Sequence, residues 1–210
     1  MTELVNTKAE KYADDVTTAD NDLLKAVCDQ TLQHHPLSHM LSGHVQGRFL
    51  SIISSLLQPL RILEIGTFTG YSALCLAEGL QENGVLHTID IRDEGAAAYF
   101  ERSAHKEKIV FHLGDANAII PALKESWDIV FIDADKTGYI KYYDLILPAV
   151  KKNGLIIVDN VLFHGEVLEE TVTGKNAKAI QAFNEHVKKD ERVEQVLLTV
   201  RDGLLLLRKV

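Results

Sequence analysis

From Asp20 to Leu57 the apolar positions, among them Leu23, Leu24, Val27, Leu32, Phe49, Ile52, Ile53 and Leu56, recur at helical spacing, interrupted by HHPLSHMLSG. The pattern predicts two or three helices with a loop around Pro36. Beyond Leu57 the period changes. Short apolar runs (RILEIG, GVLHTIDI, KIVFHLG, WDIVFIDA, GLIIVDN) alternate with helical segments (YSALCLAEGL, EGAAAYFERSA, ANAIIPALKE, YIKYYDLILPAV). The short runs are apolar nearly throughout rather than at every second position, as strands covered on both faces are. Strand and helix in regular alternation predict a doubly wound, mostly parallel α/β sheet. One more helix, AKAIQAFNEHVKKD, leads to VEQVLLTV and LLLLRKV, which only Arg201, Asp202 and Gly203 join. So short a link with Asp-Gly requires an antiparallel hairpin, giving a seven-stranded sheet that ends on one.

Composition narrows the class. A chain of 210 residues with 46% hydrophobic content fits a single domain with a sizeable core. Residues 1–57 are expected as a helical extension covering the substrate and cofactor site, and residues 58–210 as the α/β core. A net charge of −8 without any Lys or Arg run argues against nucleic acid or an anionic membrane as the main partner and favours a small molecule. The opening MTELVNTKAEKYADDVTTADND lacks the apolar segment of a signal peptide, and no apolar run is long enough to span a bilayer, so a cytoplasmic location is expected. Cys28 and Cys75, both in apolar helical patterns, are expected to be buried reduced thiols. His34, His35, His39 and His44 cluster, but Pro36 breaks any helix face that could hold them on one metal; a substrate-side loop is the better reading.

Two groups of residues carry candidate chemistry. EIGTFTGYS, Glu64 to Ser72, follows the first strand and opens a helix, where open α/β sheets bind ligands. Its G-x-x-x-G spacing is neither a dinucleotide fingerprint nor a phosphate loop. Asp90 ends the second strand, placed to accept both hydroxyls of a ribose. Singly, the glycines would make only a turn and Asp90 only a helix cap. Together they favour a nucleoside without phosphates. Glu64, an acid at a strand end before the first glycine, needs a hydrogen-bonding partner.

The second group lies at the ends of the fourth and fifth strands, Asp133 and Asp135 on one and Asp159 and Asn160 on the other. Adjacent carboxylates at the ends of buried strands are costly unless a cation, water or hydrogen bonds compensate. Asp133, Asp159 and Asn160 offer hard oxygen ligands suited to Mg²⁺, with Mn²⁺ and Ca²⁺ as alternatives. Ordinary strand-end acids capping the next loops are the plainer reading, and the pairing of two such tips weighs against it.

LEIGTFTGYS, IDADK and VDN, with the terminal DGLLLLRK, resemble the cation-dependent O-methyltransferases of the caffeoyl-CoA and catechol type. The resemblance runs from about Met40 to the C-terminus. It implies a class I, Rossmann-like S-adenosylmethionine methyltransferase fold, a phenolic small-molecule acceptor with vicinal hydroxyls, and a homodimer. By position it implies cofactor contacts at Ser42, Glu64, Gly66, Thr67, Ser72, Asp90, Ala116 and Asp135, and metal ligands at Asp133, Asp159 and Asn160. Lys136 matches the lysine near the accepting oxygen, either a base or a charge steadying the phenolate, so Lys136 and Asp133 are the catalytic candidates. Where the family commonly shows Trp and then a polar residue or Gly, this chain has Phe163 and His164. His164 and Met40 are therefore the expected substrate contacts, and Tyr139, Tyr142 and Tyr143 are expected at a surface or subunit interface. A nicotinamide-dependent oxidoreductase, a metal-dependent hydrolase and a non-catalytic cofactor-binding protein are the alternatives weighed.

Overall fold

The computed structural model describes residues 6–210, so the first five positions of the expected helical extension lie outside the described residues. Helices α1 (Thr7–Val16), α2 (Asp22–His34) and α3 (His44–Leu57) precede the sheet. Helix α1 falls within the expected helical extension; Ala9, Tyr12, Ala13 and Val16 recur at helical spacing along it, yet it buries no side chain. Its cap is local: the Asn6 side chain accepts from the amides of Lys8 and Ala9. Asn21 caps α2 in the same way, through Leu23 and Leu24.

The alternating region forms β1 (Arg61–Ile65), α4 (Tyr71–Ala77), β2 (Val85–Asp90), α5 (Ala96–Phe100), β3 (Ile109–Leu113), α6 (Ala116–Leu123), β4 (Trp127–Ile132), α7 (Tyr139–Ile146) and β5 (Val150–Asp159). Helix α8 (Lys175–Lys188) and the hairpin β6 (Val193–Leu198) and β7 (Leu204–Lys209) complete the chain. EGAAAYFERSA is helical only over Ala96–Phe100, because tight bonds from Arg102 N to Tyr99 O and from Ser103 N to Phe100 O close its end.

The seven strands run in the order β3-β2-β1-β4-β5-β7-β6. β1 to β5 pair in parallel, and β7 is antiparallel to both β5 and β6. The switch of winding direction falls between β1 and β4, where a doubly wound sheet opens its ligand crevice. Successive strand residues feed opposite cores: Val130 and Ile132 face α6, α7 and α8, whereas Ile129 and Phe131 face the side of α2, α3 and α4. Every residue of α4 is buried between the sheet and α3. Close approach is possible because Gly79 lies against the Ser54 backbone of α3, where a Cβ would come within 2.1 Å.

Tyr139, Tyr142 and Tyr143 do not lie at a surface: they are 0%, 6% and 0% exposed. Helix α8 covers α7, and the rings of Tyr139 and Tyr143 meet Phe183 edge-on. Helical spacing marks an apolar stripe but does not say which later element covers it. Cys75 is buried as expected, while Cys28 is only partly so. Among the described residues no helix is long and apolar enough to cross a membrane.

Candidate functional site

The turn after β1 is shaped by one glycine. Gly66 has φ 102°, and a Cβ there would stand 1.8 Å from the carbonyl oxygen of Asp133, so the turn presses directly on the end of β4. Asp133 N donates to Ile65 O at 2.9 Å, locking the two tips together. Asp90 anchors the same turn from β2: its Oδ2 accepts from the amides of Thr67 and Phe68, both at 2.9 Å.

Glu64 lies beneath the turn, fully buried and absent from the lining of the cavity. Ser72 Oγ donates to it at 2.6 Å and Thr88 Oγ1 at 2.5 Å, and Thr88 in turn meets Thr67 Oγ1 at 2.5 Å. It therefore reaches the cavity through Ser72 and Thr67. Burial pushes its carboxyl up to about 8, against the pull of the two hydroxyls, with the charges of Asp133 and Asp90 adding to the rise. Between the ordinary carboxyl range and that value the folded state keeps a proton that the unfolded chain has lost, so stability falls as pH rises through this window. Glu64→Gln is expected to flatten the decline: thermal melts from pH 5 to pH 9 should show the variant gaining on the wild type toward the alkaline end, and parallel curves would contradict this.

A cavity of about 910 Å³ opens over the turn and runs to the tips of β4 and β5. Gly66, Thr67, Ser72 and Asp90 line one part, with Ala116 and Asp135 near the start of α6 and the end of β4. Asp133, Lys136, Asp159 and Asn160 line another, and Met40, Ser42 and His164 also face the cavity. Ser42 is buried; Met40 is half exposed. The histidines of the N-terminal region separate: His44 bonds Asp14 and Thr18 O, His35 bonds Glu94, and His34 contacts Gln30 O.

At the paired tips the Lys136 ammonium stands among oxygens, 2.9 Å from Asp133 Oδ1, 2.7 Å from Asn160 Oδ1 and 2.7 Å from Tyr139 OH. Asp159 is 4% exposed. Burial raises its carboxyl well above the usual range, and the Asp133 charge raises it further. Opposing that rise, Gln46 Nε2 donates to Asp159 Oδ2 at 2.8 Å and Asn160 N donates to Oδ1 at 2.7 Å.

This donor set fits a hard divalent cation, with two carboxylates, a neutral amide oxygen and no sulfur. No three His, Cys, Asp or Glu side chains gather as a ligand set among the described residues, so the third protein donor would have to be Asn160. The oxygens already take a cationic group, the ammonium. Beside them the buried Gln46 Oε1 has no hydrogen-bond partner, leaving an acceptor for a bound ligand or its water.

Motif spacing does not single out several residues of the site. Gln46 reaches Asp159 from α3. Tyr142 OH donates to Asp135 Oδ1 at 2.5 Å, and Tyr139 OH donates to Asp159 O at 3.1 Å. Asp202 comes from the terminal hairpin to meet Asn160. The only signal for the tyrosines is their position one and two turns after the D-x-D segment.

The family model described as O-methyltransferase matches residues 14–210. Caffeoyl-CoA O-methyltransferase 1 of Zea mays is 34% identical over 191 residues, spanning 84% of this chain and 74% of that one. The O-methyltransferase TomG from Streptomyces achromogenes, involved in tomaymycin synthesis and solved in complex with SAM, superposes with a TM-score of 0.88 at 26% identity, covering 97% of this chain and 96% of the other. The O-methyltransferase from Bacillus cereus, solved in complex with SAH, gives a TM-score of 0.86 at 26% identity, with 97% and 98% covered.

Proposed function

The chain belongs to the O-methyltransferase family, and on that premise we propose that it methylates one hydroxyl of a vicinal-diol aromatic, caffeoyl- or catechol-like, with a divalent cation at the tips of β4 and β5. S-adenosylmethionine is its methyl donor, which sets aside the oxidoreductase and hydrolase readings. The observation that carries the proposal is the adjoining of two built surfaces in one cavity, the Gly66 turn and the oxygen cluster of Asp133, Asp159 and Asn160.

In the reaction the sulfur–methyl bond breaks as an oxygen–methyl bond forms, the sulfur keeps the electron pair, and the phenolic proton leaves to water. A cation held by Asp133, Asp159 and Asn160, Mg²⁺ before Mn²⁺ or Ca²⁺, would supply positive charge that favours the ionised oxygen. Asp90 and Asp135 are the acceptors on the donor's side of the cavity; Asp90 braces the turn while Tyr142 orients Asp135. Lys136, tied to Asp133 and Asn160, brings a positive charge to steady a phenolate. No side chain forms a bond to the substrate, so rate comes from holding oxygen, methyl carbon and sulfur in line, a proximity effect worth several kcal/mol.

Caffeic acid and p-coumaric acid differ by one ring hydroxyl and make the direct test. Transfer to caffeic acid is expected to exceed transfer to p-coumaric acid by about 100-fold in kcat/KM, because only the vicinal pair would offer two oxygens to a cation held by Asp133, Asp159 and Asn160. Equal rates would remove the vicinal-diol assignment.

A further inference from the structure

Asp202 is carried by the turn between β6 and β7, yet it is packed onto the end of β5, with its side chain 13% exposed. Its Oδ1 accepts from the backbone N of His164 at 2.5 Å and its Oδ2 from Asn160 Nδ2 at 3.3 Å. The backbone of the same turn holds the same segment: Leu162 N donates to Asp202 O at 2.9 Å and Val161 N to Gly203 O at 3.2 Å. That segment needs holding. Asn160, Phe163 and His164 have φ values of 58°, 45° and 56°; asparagine and histidine enter this left-handed region more readily than most side chains, but a phenylalanine does so only when its surroundings hold it there.

The side-chain amide of Asn160 has a donor end and an acceptor end, and only one orientation serves a cation. Nδ2 points to Asp202, and Oδ1 points to the Lys136 ammonium at 2.7 Å. Reversal would set the amide NH₂ against the ammonium and turn its oxygen toward a carboxylate.

We propose that Asp202 is a positioning residue that orients the Asn160 oxygen toward the cation site and fixes the backbone at His164, so that one carboxylate sets both metal affinity and the shape of the acceptor's side of the cavity. This rests on the metal reading given above. Partners that orient a metal ligand govern affinity by about 10- to 100-fold. A hairpin residue with a purely structural role would affect metal and cofactor together. An orienting residue affects the metal and spares the cofactor.

The test is Mn²⁺ binding, followed by the electron paramagnetic resonance signal of the free ion, together with calorimetric SAH binding, on the full-length wild type, Asp202→Ala and Asp202→Asn. Asp202→Ala is expected to weaken Mn²⁺ by about 10-fold or more while SAH affinity stays within about threefold. Asp202→Asn keeps size and one acceptor oxygen, so it guards against misfolding of the alanine variant and is expected to recover part of the Mn²⁺ affinity. Unchanged Mn²⁺ affinity in both variants, or Mn²⁺ and SAH lost in parallel, would overturn the proposal while leaving the metal site standing. A wild type that takes no Mn²⁺ would remove the metal reading and this proposal with it.

Discussion

Asp159→Ala is expected to lower methyl transfer by about 100-fold or more, the scale of several kcal/mol of charge stabilisation at the reacting oxygen. Three losses combine. One of the two carboxylates in the oxygen cluster disappears, and with it a formal negative charge that would bind the dication. Gln46 Nε2 and Asn160 N, which donate to Asp159 at 2.8 Å and 2.7 Å, are left without that acceptor in a buried place. Lys136 keeps its bonds to Asp133, Asn160 and Tyr139 but loses the attraction of the nearby Asp159 charge. The donor's side of the cavity is built from other residues, so SAH affinity measured by calorimetry should stay within about threefold. Loss of SAH binding together with activity would mean that Asp159 holds the fold of the crevice rather than its chemistry.

Gly66→Ala is expected to damage stability and both halves of the site at once. The added Cβ would meet the Asp133 carbonyl oxygen at 1.8 Å, and φ 102° is a backbone conformation that alanine avoids. Relief requires the β1 turn or the β4 tip to move. Strain of this kind and overpacking each cost about 1–3 kcal/mol. For a chain of this size the sum corresponds to a fall of about 10 °C in Tm. Scanning calorimetry with and without SAH measures it. Because Gly66 touches the residue that carries a proposed metal ligand, Mn²⁺ affinity should fall alongside SAH affinity. A variant with unaltered Tm would show that the two tips are not in the close contact described here.

Sheet architecture was legible because strand and helix segments announce themselves locally. Apolar runs such as Ile129 to Ile132 need burial on both faces, and the short link at Arg201 to Gly203 permits only an antiparallel return. The convergence of the Gly66 turn with the D-x-D and D-N tips was legible for a related reason. Strand ends in a doubly wound sheet meet at the switch point, here between β1 and β4. Helix α1 lies in the expected helical extension, and Ala9, Tyr12, Ala13 and Val16 stand at helical spacing along it, but its bounds were not legible because so polar a stretch masks four apolar positions that the fold leaves unburied. Nor were the residues that reach the site from distant parts of the chain. Gln46 meets Asp159 across 113 positions and Asp202 meets Asn160 across 42, and no spacing rule connects such pairs. Tyr139 and Tyr143 were misplaced because their burial depends on α8, which arrives later in the chain, and Tyr142 because it turns to Asp135 in the cavity. Glu64 illustrates a subtler limit. Its position at the strand end suggests contact with a ligand, whereas the structure turns it under the turn to hold Ser72 and Thr88.

The most direct measurement is methyl transfer from S-adenosylmethionine to caffeic acid, first with Mg²⁺ and then with excess chelator, after calorimetry has established cofactor binding. The cavity described here predicts cofactor binding that survives the chelator and transfer that does not, with activity restored when Mg²⁺ is returned in excess. Transfer that continues unchanged with the chelator present would contradict the cation role of Asp133, Asp159 and Asn160.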